Sequence, residues 1–134
     1  MDLLNIPDPE DLLHKDLTAD IIDSFYKVYN TLGYGFLEKV YQNALYLELK
    51  KKHDVKPQFD ITVYYENQPV GYYRADLVVD DLIILELKAA KEISESHIEQ
   101  LQNYLKSTDK EVGLLLNFGK KPEFKRRVFS NKYK

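Results

Sequence analysis

The sequence predicts an α/β fold in which helices flank a mixed central sheet. Apolar residues recur at helical spacing between residues 18 and 52, and the period changes to two after Phe59. Two later segments, 82–88 and 112–117, are almost entirely apolar, which is typical of central strands covered on both faces. Because helices must cover such a sheet, the predicted order α-α-β-β-β-α-β-β indicates the α/β or α+β class.

The first half of the chain predicts an arm followed by two helices. Residues 1–17 are polar and contain two prolines, so we expect an arm or short helix there and a single domain over 18–134. Thr18 is the expected N-cap of the first helix, and Gly33 is expected to end it. A second helix is expected from about Phe36 to Lys52.

The second half predicts five strands and one further helix. Asp80 and Asp81 are expected to form a tight turn between the second and third strands. The helix should run to about Ser107 from a cap at Ser94 or Ser96, since Ser96 and Glu99 form a capping-box pattern. The expected strands are 59–65, 70–79, 82–88, 112–117 and 124–129.

Composition excludes several classes of function. The chain has no cysteine, which rules out thiol catalysis, cysteine-ligated zinc and disulfide scaffolds. No apolar run approaches the ~18 residues needed to cross a bilayer, and the first residues lack the features of a signal peptide. We therefore expect a soluble, cytoplasmic protein without a membrane partner.

The carboxyl end is strongly basic. Residues 120–134 hold seven basic residues and one acid, a charge of +6, so a total of −3 leaves −9 on residues 1–119. Such a basic end can bind phosphate backbones, and it can equally be a solvated surface. The candidate nucleic-acid contacts are Lys120, Lys121, Arg126 and Arg127.

Two predicted neighbouring strands each carry an acid, Asp76 and Glu86, and Lys88 lies two residues beyond Glu86. Glu86 and Lys88 share a strand face because successive side chains alternate. Burying a carboxylate is costly unless it is paired or binds a cation, so these acids predict either a metal site that activates water or a salt-bridge cluster with Arg74 and Lys88.

The metal-site hypothesis depends on the register of these strands. Asp76 and Glu86 share a face only if the numbers of paired residues have an even sum. A two-residue turn at Asp80 and Asp81 would pair Val79 with Leu82 and place the acids on opposite faces. The hypothesis therefore requires a three-residue turn or a bulge.

Several motifs resemble one known superfamily. Asp76, nine residues and then Glu86-Leu87-Lys88 resemble the motif of the PD-(D/E)XK nucleases. Residues 35–41 match the G-x-x-E-x-x-Y signature of a group of small prokaryotic proteins in that superfamily, and 73–79 and 113–119 also look like that group. The resemblance covers roughly residues 18–129.

The resemblance implies a restriction-endonuclease-like core and a metal site. Asp76 and Glu86 would hold Mg²⁺ or Mn²⁺, with the Leu87 carbonyl as a further ligand and Glu38 as another, as in the RecB-like branch. Lys88 would orient or activate water and offset phosphate charge. The proline that usually precedes the first acid is Ala75 here.

Three other residues are candidates for contact with substrate or support of the site. Gln100 and Tyr104 resemble a Q-x-x-x-Y helix motif of the RecB-like branch and lie on one helical face, where a surface glutamine beside a core tyrosine is the alternative. Tyr41 lies one turn after Glu38 and is expected to hydrogen-bond its carboxylate, to pack in the core, or to do both. His97 is expected to be structural or solvent-exposed and not a ligand.

These observations predict a metal-dependent nuclease that hydrolyses DNA phosphodiester bonds, with RNA and a homodimer left open. The first alternative is a catalytically silent nucleic-acid-binding or accessory module with the same fold. The second is a structural domain in which the acids form salt bridges. Fold does not decide between them.

Overall fold

The computed structural model describes residues 9–134, so the part of the predicted arm before Pro9 lies outside the described residues. The four helices of the described part are α1 (Pro9–Leu12), α2 (Lys15–Leu32), α3 (Glu38–Leu49) and α4 (Glu95–Lys106). Its five strands are β1 (Val55–Tyr65), β2 (Gln68–Val79), β3 (Ile83–Lys88), β4 (Val112–Phe118) and β5 (Pro122–Val128). A 3₁₀ turn, Asn131–Tyr133, follows β5.

The five strands form one mixed sheet in the order β1-β2-β3-β4-β5. Strands β3 and β4 are parallel and are connected through α4, whereas the other neighbours are antiparallel. The predicted mixed sheet and α/β class are confirmed.

Each face of the sheet has its own apolar core. Ile83, Leu85 and Leu87 of β3 belong to the core under α2 and α3, while Ile84 belongs to the core under α4. Glu86 and Lys88 share the parity of Ile84 and therefore lie on the α4 face. Within residues 9–134, no helix is long and apolar enough to cross a membrane.

Some predicted helix ends were wrong. Helix α2 begins at Lys15, after His14 in the left-handed conformation at φ 55°, so Thr18 lies inside the helix and is buried instead of capping it. Helix α3 begins two residues later than predicted because Leu37 is still extended. The cap of α4 is Ser94, and its capping-box partner is His97, so the Ser96–Glu99 pattern is not the one used.

Candidate active site

The register of β2 and β3 is the one that the metal-site hypothesis requires. Val79 pairs with Ile83 and Leu77 with Leu85, so paired numbers have an even sum. Three residues, 80–82, form the turn, and Asp80 and Asp81 both adopt positive φ angles, 51° and 58°. The same register places Asp76 opposite Glu86.

The two acids lie where the strands separate. Regular pairing of β2 with β3 ends at Leu77 and Leu85. Beyond that point, Glu86 Oε1 accepts a hydrogen bond of 3.1 Å from the Asp76 amide, and Asp76 Oδ2 accepts one of 2.8 Å from the Leu87 amide. In a regular strand pair these two amides would donate to backbone carbonyls of the neighbouring strand. Here they donate to the carboxylates, and these hydrogen bonds hold both side chains between the strand ends.

Burial disfavours the charged form of both acids, and for Glu86 the charge of Asp76 adds to this effect. Glu86 is 5% exposed, and burial followed by the charge of Asp76 raises its pKa to about 8. Burial also raises the pKa of Asp76, although the Leu87 amide and Lys88 oppose the change. Among the described residues, neither acid forms a salt bridge, and Arg74 pairs with Asp60 at 2.8 Å instead. Arg74 therefore does not take part in the salt-bridge cluster with Asp76 and Glu86 that was the alternative to a metal site.

Glu38 is the first residue of α3 and is exposed to solvent. Its charge is a minor contribution to the raised pKa of Asp76 and of Glu86, which places it near the pair. Across residues 9–134, no three Asp, Glu, His or Cys side chains come close enough together to hold a metal ion. The site as folded thus presents two adjacent carboxylates, with Glu38 at its edge.

Tyr41 supports the loop before α3. Its hydroxyl donates to the Gly33 carbonyl at 2.7 Å and accepts from the Phe36 amide at 3.2 Å, so its single proton is not given to Glu38. Its fully buried ring stacks on Phe118 at a centroid distance of 4.3 Å. Of the two predicted roles for Tyr41, packing is the one observed.

Gln42 is a supporting residue that the sequence analysis missed. It is 8% exposed, and its Nε2 donates to the Asp76 carbonyl at 3.2 Å. The contact ties α3 to the residue that carries the first acid. The available signal was a glutamine next to Tyr41 on the side of the helix that carries its buried residues.

Asn117 was also missed. It is fully buried opposite Lys88, where its Oδ1 accepts from the Ala90 amide at 2.9 Å and its Nδ2 donates to the Ala90 carbonyl at 3.0 Å. A Cβ at Gly119 would collide with the same carbonyl. This double hydrogen bond fixes the chain just after Lys88, and an amide at the end of an apolar strand was the signal for it.

Helix α4 brings Tyr104 next to the acids. Tyr104 is 5% exposed, and burial, then the charges of Glu86 and Asp76, raises its pKa to about 12. Gln100 lies one turn earlier and lines a groove that Tyr104 also lines. His97 accepts a 3.1 Å hydrogen bond from the Ser94 amide and is structural, as expected.

The four basic candidates do not lie together. Lys120 and Lys121 are exposed in the turn after β4, next to the carboxyl ends of β3 and β4, where Lys88 pairs with Asn117. Arg126 pairs with Leu114, three residues and about 10 Å back along β4. Its guanidinium donates to the carbonyls of Glu10 and Leu13, at 2.9 and 2.7 Å. Arg127 donates to the Arg126 carbonyl and pairs with Gly113.

The carboxylate oxygens of Asp76 and Glu86 are suitable ligands for a hard divalent cation such as Mg²⁺. Each carboxylate uses one oxygen for an amide hydrogen bond, Asp76 Oδ2 and Glu86 Oε1, and its second oxygen accepts no hydrogen bond from residues 9–134. Mg²⁺ and Mn²⁺ prefer such oxygen ligands, and a cation would offset the charge of Asp76 that, after burial, raises the pKa of Glu86.

A sheet flanked by helices, with an acid pair and a lysine where two central strands separate, is the architecture of a nuclease core. The chain belongs to the PD-(D/E)XK nuclease superfamily, whose family model matches residues 15–127. Members of that superfamily generally use divalent metal ions. Among curated proteins, no sequence matches significantly.

Two solved structures share the fold. The crystal structure of SSO0001 is 15% identical and has a TM-score of 0.58, covering 96% of this chain and 72% of that one. An alkaline exonuclease (LHK-Exo) from Laribacter hongkongensis is 12% identical with a TM-score of 0.51, covering 71% of this chain and 56% of its own. At these identities the likeness shows the fold alone.

Proposed function

We propose that this protein is a nuclease that hydrolyses DNA phosphodiester bonds with the help of Mg²⁺ or Mn²⁺. The observation that carries the proposal is the pair of half-buried Asp76 and buried Glu86, which has raised pKa values and, within residues 9–134, no salt-bridge partner. A pair of this kind is costly as two anions and becomes favourable when a dication is bound.

The ligands would be the carboxylates of Asp76 and Glu86, with the Leu87 carbonyl and Glu38 completing the set. Leu87 is a reasonable ligand because its amide already contacts Asp76 at 2.8 Å. A divalent cation bound there supplies Lewis acidity toward a phosphate oxygen and toward water.

The remaining roles belong to the chain itself. Lys88 lies on the face of Glu86, where its ammonium group can orient the attacking water and offset charge on the phosphate. Gln42 and Asn117 hold the backbone on either side of the acids, so the pair needs little reorganisation when substrate arrives. The low exposure of Glu86 strengthens each of these electrostatic interactions.

We further propose that the chain belongs to the G-x-x-E-x-x-Y group of the RecB-like branch. The placement of its motif residues supports this: Gly35 takes φ 109°, Glu38 opens α3 and Tyr41 anchors the loop. If Glu38 is a ligand, Glu38→Gln should weaken the response to Mg²⁺ without changing stability in EDTA. An unchanged response would remove Glu38 from the ligand set.

The test is incubation of the purified protein with single-stranded, duplex and branched DNA, and with RNA, in Mg²⁺ or Mn²⁺. Glu86→Gln is the inactive control because it keeps the shape of the side chain and removes its charge. The proposal requires cleavage by the wild type that EDTA abolishes and that the variant lacks. DNA binding without cleavage would instead support the silent module, and equal cleavage by both proteins would mean contamination.

A further inference from the structure

Two grooves include residues already described around the carboxylate pair, Glu38 in one and Tyr104 in the other, and the charges of the two grooves differ. The first, about 920 Å³, lies between the Tyr34–Lys39 segment, residues 89–91 and the end of β4. Its charged lining consists of Lys39, Lys91 and Lys120 against the single acid Glu38. Three ammonium groups against one carboxylate suit the phosphate backbone of a nucleic acid, which is recognised mainly by lysine and arginine.

The second groove, about 610 Å³, lies between the β1–β2 hairpin and α4. Its charged residues balance, because Glu99 and Lys106 both line it. Its other lining includes amide side chains from Gln100 and Asn103, and the ring of Tyr73. A neutral groove with aromatic rings and amides is poorly suited to a phosphate backbone but well suited to base faces and base edges.

Tyr73 is available for stacking. Its side chain is 52% exposed, and its ring centroid lies 5.8 Å from that of Tyr104 at an angle of 49°. Its strand partner Ile61 belongs to the core under α4, which places Tyr73 on the face of the acids. Tyr72, next in the chain, points to the opposite face and is 75% exposed.

The second groove lies beside the proposed active site, because Tyr104 belongs to the same core as Leu115, which is the β4 partner of Glu86. Tyr104 lines the groove, and the charges of Glu86 and Asp76 act on its hydroxyl. A strand whose phosphate lies at the acids therefore has its neighbouring bases within reach of Tyr104 and Tyr73. Bases in a duplex are stacked on each other internally, so only unpaired nucleotides can place their faces on these rings.

We infer that the groove between the β1–β2 hairpin and α4 binds unpaired nucleotides of the substrate, with Tyr73 stacking on a base. The first groove, lined by Lys39, Lys91 and Lys120, holds the backbone. This assignment rests on the proposed function for the location of the scissile phosphate. It makes the substrate a nucleic acid with a single-stranded segment next to the cleavage site, and it makes Tyr73 a residue that determines specificity.

The test measures binding in EDTA, so that it does not depend on cleavage. Fluorescence anisotropy compares a labelled single-stranded DNA, the same DNA with a run of abasic sites, and a blunt duplex. Tyr73→Ala should weaken single-strand binding about fivefold or more, the effect of losing one base–aromatic stack. The duplex should be unaffected. Tyr73→Phe should bind as the wild type, and Tyr72→Ala is the matched control from the opposite face.

The abasic DNA identifies the interaction. If Tyr73 stacks on a base, the wild type should lose affinity for abasic DNA, and Tyr73→Ala should bind both single strands equally. The salt dependence of binding should keep its slope in Tyr73→Ala, because no phosphate contact is removed. Equal effects of Tyr72→Ala and Tyr73→Ala, or an equal loss on duplex, would overturn the inference. A protein that passes this test but cleaves nothing would contradict only the proposed function.

Discussion

The β2–β3 hairpin carries a pair of acids at each end, and the two pairs differ in their surroundings. At the turn, Asp80 accepts from the Asp54 amide at 2.8 Å and lies 2.8 Å from His53 Nδ1. Asp81 forms a 2.9 Å salt bridge with Lys110. The hydrogen bond and charge of Lys110 lower the pKa of Asp81, so this pair is satisfied by the protein itself.

At the open end, Asp76 and Glu86 face each other, and both pKa values are raised. Both pairs consist of carboxylates, but at this end the hydrogen-bond partners are backbone amides and not cations. At the turn, groups of the protein itself offset the charge of the acids and stabilise the fold. At the open end no such group among residues 9–134 pairs with the acids, which leaves a position for a cation from solution. Variants at the two ends should separate stability from activity.

The largest expected difference is in cleavage. Asp76→Asn should reduce cleavage about 100-fold or more, because loss of even an outer-shell partner of a metal costs about 10–100-fold. Asp81→Asn removes a carboxylate from the other end and should leave the cleavage rate unchanged. Gel assays of both variants with Mg²⁺ measure the difference. Comparable losses in both would mean that the turn pair is part of the active site.

The next largest effect concerns pH in EDTA. Because folding raises the pKa of Glu86 from 4.5 to about 8, its proton stabilises the fold at low pH. That contribution is complete below the ordinary pKa and is lost as pH rises through about 8. The loss should be on the order of a few kcal/mol, since one pKa unit corresponds to about 1.4 kcal/mol.

Urea unfolding between pH 5 and pH 9 tests this expectation. Glu86→Gln should remove most of the decline and should be more stable than the wild type at the alkaline end. Glu66→Gln, which changes an exposed glutamate in the turn between β1 and β2, should follow the wild type. A wild-type stability that rises over this range would show that Glu86 is not protonated in the metal-free protein.

A somewhat smaller effect is expected from metal binding. Mg²⁺ or Mn²⁺ at 100 times its dissociation constant should stabilise the protein by about 2.7 kcal/mol, because only the folded state brings Asp76 and Glu86 together. Thermal unfolding should therefore move to higher temperature with millimolar metal. Glu86→Gln should abolish the response and Asp81→Asn should keep it. A wild type indifferent to both metals would contradict the proposed site.

The smallest effect distinguishes the basic residues. Lys120→Ala and Lys121→Ala should each flatten the salt dependence of duplex DNA binding by about 0.9 log units if each contacts a phosphate. Arg127→Ala, about 13 Å back along the sheet at the position of Gly113, should not. Arg126→Ala should lower stability through its lost contacts with Glu10 and Leu13. An unchanged slope in both lysine variants would make the turn after β4 merely solvated surface.

Much of the fold was predictable because apolar periodicity follows burial directly. The order of the main elements and the α/β class came from that pattern, whereas the requirement for an even register at Asp76 and Glu86 came from the metal-site hypothesis and the alternation of side chains along a strand. The exact turn length was not predictable from composition. Asp80 and Asp81 suggest a two-residue turn, and only tertiary pairing shows that Leu82 belongs to it.

The supporting polar contacts were not predictable, because they join residues far apart in the chain. Gln42 and Asp76 are 34 positions apart, and Asn117 and Ala90 are 27 apart. No local propensity encodes such a pair. The predicted N-cap at Thr18 was wrong for a related reason. The side chain of Thr18 suits a cap, but the helix already begins at Lys15, just after Leu13, whose carbonyl accepts a hydrogen bond from the distant Arg126.

The three-residue turn has a consequence for how this protein tolerates changes in length. Strand β3 is apolar on both faces, with Ile83, Ile84 and Leu85 all fully buried, so its core packing alone does not strongly specify which face Glu86 takes. The length of the turn at residues 80–82, about 13 Å from Asp76, determines which face Glu86 takes. Loss or gain of a single residue there would move Glu86 to the far side of the sheet. Such a protein could keep every functional side chain and still have no active site.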